Sequence, residues 1–186
     1  KYHHGDLPIR GEGESAMRKY VVIYRSVLME NLQYAANIAM GFISYFMLSF
    51  IFINLWDYMY ASPEDLIAGY TKEQMIWYVM ITEMIWFGAR SATIRQQVSA
   101  DIRGGNIAYL VNKPYCYPLY ILAKYTAEWS IQLPMYAVLT VVIGVTMVGG
   151  IPGFRGITLL AAVPCTVLGM TIHAVFKICI SMLSFW

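Results

Sequence analysis

Asn31-Leu32-Gln33-Tyr34-Ala35-Ala36-Asn37-Ile38-Ala39-Met40-Gly41-Phe42-Ile43-Ser44-Tyr45-Phe46-Met47-Leu48-Ser49-Phe50-Ile51-Phe52-Ile53-Asn54-Leu55-Trp56 is a run of 26 residues without a charge. As a helix rising about 1.5 Å per residue it reaches about 39 Å, more than the ~30 Å hydrocarbon core of a bilayer. The run reads as a membrane span, and the composition agrees. Hydrophobic residues make up 59% of the chain and charged residues 13%, where a soluble domain carries about 25% charge. In lipid every backbone polar group needs an internal partner, so helix-length apolar runs select helices. The fold class that follows is all-α, a polytopic transmembrane helical bundle.

Three further runs complete a set of four spans, at about 31–56, 74–89, 119–150 and 156–176. The second is interrupted by Glu83, and a carboxylate near the bilayer centre costs on the order of 3 kcal/mol. Glu83 is therefore expected to face other helices or a wet groove. The third opens with Lys124 and Glu128 at i,i+4, which suits a helix-surface ion pair, and contains Pro134, which suits a kink or a break. In the fourth, Ala161, Cys165 and Gly169 recur every four residues and His173 extends the stripe. Small residues at that spacing suit close helix packing.

Residues 1–16 hold Gly5, Pro8, Gly11, Gly13 and the His3-His4 pair without apolar periodicity, and are expected to be a disordered leader or tag remnant before Met17. Residues 17–30 mix Arg18, Lys19 and Arg25 with Tyr20, Tyr24 and Val27, the pattern of an interfacial helix. Residues 17–186 form one membrane domain. Its basic residues cluster before the first span and in the loop 90–118, which holds Arg90, Arg95, Arg103 and Lys113, while the loop between the first two spans has Lys72 alone. The positive-inside rule then places the N-terminus and the 90–118 loop in the cytoplasm.

Within that loop lies Ile94-Arg95-Gln96-Gln97-Val98-Ser99-Ala100-Asp101-Ile102-Arg103-Gly104-Gly105-Asn106. Ile94, Val98 and Ile102 at i,i+4,i+8 predict a short helix with one apolar face lying on the membrane, and with Arg95, Gln97, Asp101 and Arg103 turned to water. Gly104-Gly105 is a helix stop. A charged, glycine-punctuated segment between two spans is reachable by a soluble protein, so Ile94, Arg95, Val98, Asp101, Ile102, Arg103, Gly104, Gly105 and Asn106 form a candidate partner-docking element.

Other functions find no residues to carry them. There is no GxxxxGK[ST] loop, no GxSxG and no HExxH, and no part of the chain is long enough outside the apolar runs to form an energy-coupling enzyme. The chain is read as a non-enzyme without a cofactor of its own. Cys116, Cys165 and Cys179 have no CxxC spacing, which argues against disulfides and metal. A net charge of +2 spread over loops excludes nucleic acid. Glu83 and His173, the ionisable residues of the spans, form a candidate translocation groove or proton relay, although Glu83 lies mid-span and His173 near the cytoplasmic end.

The run Val98-Ser99-Ala100-Asp101-Ile102-Arg103-Gly104-Gly105-Asn106-Ile107-Ala108-Tyr109-Leu110-Val111-Asn112-Lys113-Pro114, followed by Tyr117-Pro118-Leu119-Tyr120, resembles the D-I-R-x-G-x-L…L-x-x-P…Y signature of the ABC-2 family of ABC transporter permeases. Met17-Arg18-Lys19-Tyr20, Tyr70-Thr71-Lys72-Glu73-Gln74-Met75 and Ser184-Phe185-Trp186 fall in the family's order. The resemblance implies a bacterial or archaeal inner-membrane subunit, normally of six helices, so that two helices are missing from the four-span chain. It implies a pair of cytoplasmic ATP-binding subunits that hold ATP and Mg, a second permease subunit, and docking of the ATPase on the 90–118 loop. Substrate export driven from there is the expected function. Two other readings compete with it: a scaffold or sensor docking a signalling protein on the same loop, and a proton-coupled secondary transporter using Glu83 and His173.

Overall fold

A computed structural model describes residues 10–33, 35–60, 62, 66–89, 92–113, 115–153 and 156–183. They form seven helices: α1 (Arg10–Gln33), α2 (Ala35–Met59), α3 (Lys72–Ala89), α4 (Ala92–Arg103), α5 (Asn106–Val111), α6 (Tyr117–Met147) and α7 (Gly156–Leu183). No strand occurs among the described residues. The all-α membrane bundle expected from the sequence is the fold observed.

Three helices are long and apolar enough to cross a membrane: α2 over Ala39–Met59, α6 and α7. The second expected span, at 74–89, differs in kind. With 18 residues α3 is about 27 Å long, short of the ~30 Å core, and it bears Lys72, Glu73 and Glu83. Protein covers one side of it, where Ile76, Trp77, Met80 and Gly88 are buried, while Tyr78, Ile81 and Trp86 are exposed. α6 runs unbroken through Pro134. α1 starts at Arg10, so the latter part of the expected leader is helical; residues 1–9 lie outside the described residues. Residues 17–30, expected to be an interfacial helix, also make a protein contact: α1 lies along α6, with Val27 7% exposed and the Cys116 N–H donating to the Tyr20 hydroxyl at 3.0 Å.

The turn between α2 and α3 is short and ordered. Ile67 and Tyr70 form an isolated bridge around Ala68 and Gly69, both with positive φ, and the buried Tyr60 hydroxyl donates to the Tyr70 carbonyl at 2.8 Å. A reciprocal cap starts α3: the Thr71 N–H donates to Gln74 Oε1 at 3.0 Å and the Gln74 N–H to Thr71 Oγ1 at 3.4 Å. Lys72 Nζ reaches Asp57 Oδ1 at 2.7 Å. The pair raises the Lys72 pKa by the hydrogen bond to Asp57, but exposed pairs of this kind contribute little to stability.

α6 is the common wall. α3 and α1 make the most extensive contacts with it, α2 covers α3, and α7 shares its other side with α4. Two glycines fix how α3 lies. A Cβ on Gly144 of α6 would stand 2.3 Å from Trp77 Cη2, and one on Gly88 of α3 would stand 3.0 Å from Leu133 Cδ1. Trp77 thus meets position 144 and Gly88 meets position 133, so α3 runs antiparallel along the second half of α6.

Between them lies an aromatic core. Tyr45 of α2 is fully buried among Ile76, Met80, Tyr136 and Ile143. The Tyr45–Tyr136 centroids are 5.5 Å apart and the Phe42–Tyr136 centroids 5.3 Å, both edge-on, a geometry that places ring edges on ring faces. The Tyr45 hydroxyl lies 3.0 Å from the Met80 carbonyl and 2.6 Å from Thr140 Oγ1, which lies 2.7 Å from the Tyr136 carbonyl. Two hydroxyl protons are shared over three contacts, and they join α2, α3 and α6 where no water competes.

The Gly144–Trp77 contact is the tightest of these. Gly144→Ala is expected to destabilise the chain by about 1–3 kcal/mol through overpacking, and Trp77→Leu to recover part of the loss in the double variant. Thermal unfolding in detergent of the two single variants and the double variant reads this directly.

Candidate functional site

α4 and α5 form an elbow at the foot of α6. The expected short helix is present over Ala92–Arg103, but its apolar face lies on protein and not on lipid. Ile94 is 2% exposed and Val98 is fully buried, both in a cluster with Tyr117, Ile121 and Tyr125 of α6 and Ala174 and Ile178 of α7, with Ile102 against its edge.

Asp101, expected to face water, is 6% exposed. Its Oδ2 accepts from the Tyr117 hydroxyl at 2.7 Å, and its two oxygens take the Gln97 amide at 3.4 and 3.3 Å. Lys124, expected in a pair with Glu128, donates its Nζ to Gln97 Oε1 at 3.0 Å. An amide suits the middle of this chain because it gives a proton on one side and accepts one on the other. The cation is thereby joined to the buried carboxylate through Gln97, and α4 is bolted to α6 at two points.

Helical phase explains the inward position of Asp101. Asp101 stands three residues after Val98 and Gln97 three after Ile94, so both share the buried face. That spacing was the available signal for the inward position of Asp101; the parts played by Gln97, Lys124 and Tyr117 depended on the fold.

The rest of the docking element is on the outside. Arg95, Arg103, Gly104, Gly105 and Asn106 are exposed, as are Gln96 and Tyr109. The elbow itself is a sharp corner. The Gly104 N–H donates to the Ala100 carbonyl at 2.9 Å and the Gly105 N–H to the Ile102 carbonyl at 3.2 Å, and Gly105, at φ +70, both ends one helix and begins the next. A left-handed residue there favours glycine. Beyond α5, Lys113 Nζ lies 4.6 Å from the centre of the Tyr109 ring.

A second feature lies between α3, α6 and α7. It is a groove of about 400 Å³ whose walls include Trp86, Ala89, Tyr125, Gly169, Met170 and His173. His173 lines it, but Glu83 does not. The Glu83 carboxylate is half-buried and lies within electrostatic reach of the Tyr45 hydroxyl. The groove does not unite the two ionisable residues. Ala161, Cys165 and Gly169, expected to be a packing stripe, are all exposed, and a Cβ at Gly169 would meet nothing within 4 Å. No group of three metal-ligating side chains occurs among the described residues.

The model of one protein family, described as ABC-2 family transporter protein, matches residues 42–186, the stretch that holds α3 to α7 and the elbow. No curated protein and no solved structure matches the chain.

Removing the Asp101 carboxylate leaves the Tyr117 hydroxyl and the Gln97 amide buried without an acceptor. Asp101→Ala is therefore expected to lower stability by about 1–3 kcal/mol, and Gln97→Glu, which sets one carboxylate against another, to cost more than Gln97→Ala. A double-mutant cycle of Asp101→Asn with Tyr117→Phe checks the bond: coupling is expected, and full additivity would show that the two side chains act apart.

Proposed function

As a member of the ABC-2 transporter family the chain is a membrane permease subunit of an ABC transporter, and we propose that it exports a substrate using the stroke of a separate cytoplasmic ATPase docked on the α4–α5 elbow. The observation that carries this reading is the division of α4 into two faces. Ile94, Val98 and Asp101 are locked into α6 and α7, while Arg95, Arg103 and Asn106 stay exposed on the other side. A helix held that way moves with the helices it grips. It can receive a push without coming loose.

In this mechanism ATP and Mg are bound by a pair of cytoplasmic ATP-binding subunits, and a second permease subunit completes the path in the inner membrane. Closure of the ATP-binding pair displaces the elbow. The Tyr117–Asp101 and Lys124–Gln97 bonds pass the displacement to α6, and the Ile94–Val98 contacts pass it to α7. Rocking of packed helices then exposes the groove beside His173 to alternate sides, a rigid-body transition of a familiar kind. The substrate shifts that equilibrium only through its different affinity for the two arrangements. Glu83 is not among the walls of this groove, and the path proposed here does not use it.

Charge reversal on the outer face tests the docking separately from the clamp. Arg95→Glu with Arg103→Glu is expected to lower co-purification with an ATP-binding protein from the native membranes by about tenfold, near 1.4 kcal/mol, with unchanged thermal stability. A native chain that recovers no ATP-binding protein from its own membranes would overturn the reading.

A further inference from the structure

α1 and the first turns of α6 enclose a groove of about 330 Å³ that neither the elbow nor the α3–α6–α7 groove uses. Its walls are apolar: Val21 and Tyr24 from α1, and Leu119, Leu122 and Ala123 from α6. The nearby hydroxyls are engaged, Thr126 Oγ1 donating to the Leu122 carbonyl at 2.7 Å and the Tyr20 hydroxyl accepting from the Cys116 N–H. The groove is open, and Val21 on its rim is 59% exposed.

Two arginines flank that rim. Arg18 lies three residues before Val21 and Arg25 four after it, so both stand on the same edge of α1. Both are exposed. Glu30, five residues beyond Arg25, is turned about 140° away around the helix axis.

Depth then decides what kind of molecule fits. α6 has 31 residues and is about 46 Å long, against a ~30 Å core, so one end of it stands in the headgroup layer. Its first turns, beside Arg103 and Lys113, are that end. The groove therefore opens at the boundary between headgroups and hydrocarbon, where long arginine side chains extend toward phosphate while their stems lie on apolar surface. A transmembrane helix from another chain fits less well, because close helix contact uses small residues and these walls carry tyrosine, leucine and valine.

We propose that this groove binds one anionic membrane phospholipid, its phosphate held by Arg18 and Arg25 and an acyl chain laid against Leu119, Leu122 and Ala123. The lipid fills the seam between α1 and α6 in the leaflet on the α4 side, and so fixes the angle at which α1 leads into α2. This inference is independent of how the elbow is used.

Native mass spectrometry of the detergent-purified chain, titrated with phosphatidylglycerol or with phosphatidylcholine of the same acyl chains, tests it. One phosphatidylglycerol per chain is expected, held about 30-fold more tightly than phosphatidylcholine, from roughly a fivefold contribution per cation. Arg18→Ala with Arg25→Ala is expected to erase that preference, the corresponding double lysine variant to keep most of it, and Arg95→Gln on α4 to leave it unchanged. Ala123→Trp, which fills the groove and keeps both arginines, is expected to weaken both lipids. Equal retention of the two lipids by the native chain, an unaffected double alanine variant, an equal loss on Arg95→Gln, or displacement of the lipid by inorganic phosphate would each overturn the proposal.

Discussion

A buried carboxylate at the foot of α6 sets the geometry on which the rest of this molecule depends. Asp101 has been taken out of water without a cation in direct contact, and such a group is tolerated only when its oxygens are well supplied with donors. Tyr117 and Gln97 supply them, and Lys124 reaches the site through the Gln97 amide. The arrangement is directional as well as strong. A simple apolar contact between α4 and α6 would let the short helix slide, whereas two hydrogen bonds across the contact, Tyr117 to Asp101 and Lys124 to Gln97, admit one register. Loop position, elbow angle and the outward aim of Arg95 and Arg103 all follow from that register.

The other end of the molecule is organised by shape. There α3 lies on α6 through a tryptophan seated over one glycine and a leucine seated over another, and the polar atoms of Tyr45 and Thr140 find partners within the three-helix contact. Apolar burial alone drives little association between helices in lipid, since lipid tails are as apolar as leucine. Close approach and hydrogen bonds made away from water therefore carry the specificity that a hydrophobic core supplies in a soluble protein. α2 and α7, by contrast, leave most of their apolar surface outward, as helices facing lipid do.

Much of this was legible in the amino-acid order. Uncharged runs marked α2, α6 and α7, because a span announces itself by length and lack of charge. The phase of Ile94 and Val98 located a short helix with an apolar face. What covers that face was not legible: an apolar stripe looks the same whether lipid or another helix lies against it, and here α6 and α7 do. Charge alone points Asp101 to water, but its three-residue spacing from Val98 puts it on the buried face. Ala161, Cys165 and Gly169 lie exposed on α7, which meets α4 and α6 through Ala174 and Ile178. Glu83 and His173 stood as a pair only by being the ionisable residues of the spans, and the packing of α3 turned them to different surroundings.

The shortness of α3 reaches beyond the protein. A lone helix a few ångströms shorter or longer than the hydrocarbon adjusts by tilting, but α3 is held at both ends of its contact with α6, at Gly144 and at Gly88, and cannot tilt independently. Where lipid lies beside it, α3 therefore suits a thinner hydrocarbon layer than the longer α6 and α7 do, at fractions of a kcal/mol per ångström of mismatch. One bilayer thickness does not match all of these helices equally, and lipid length bears on each of them differently.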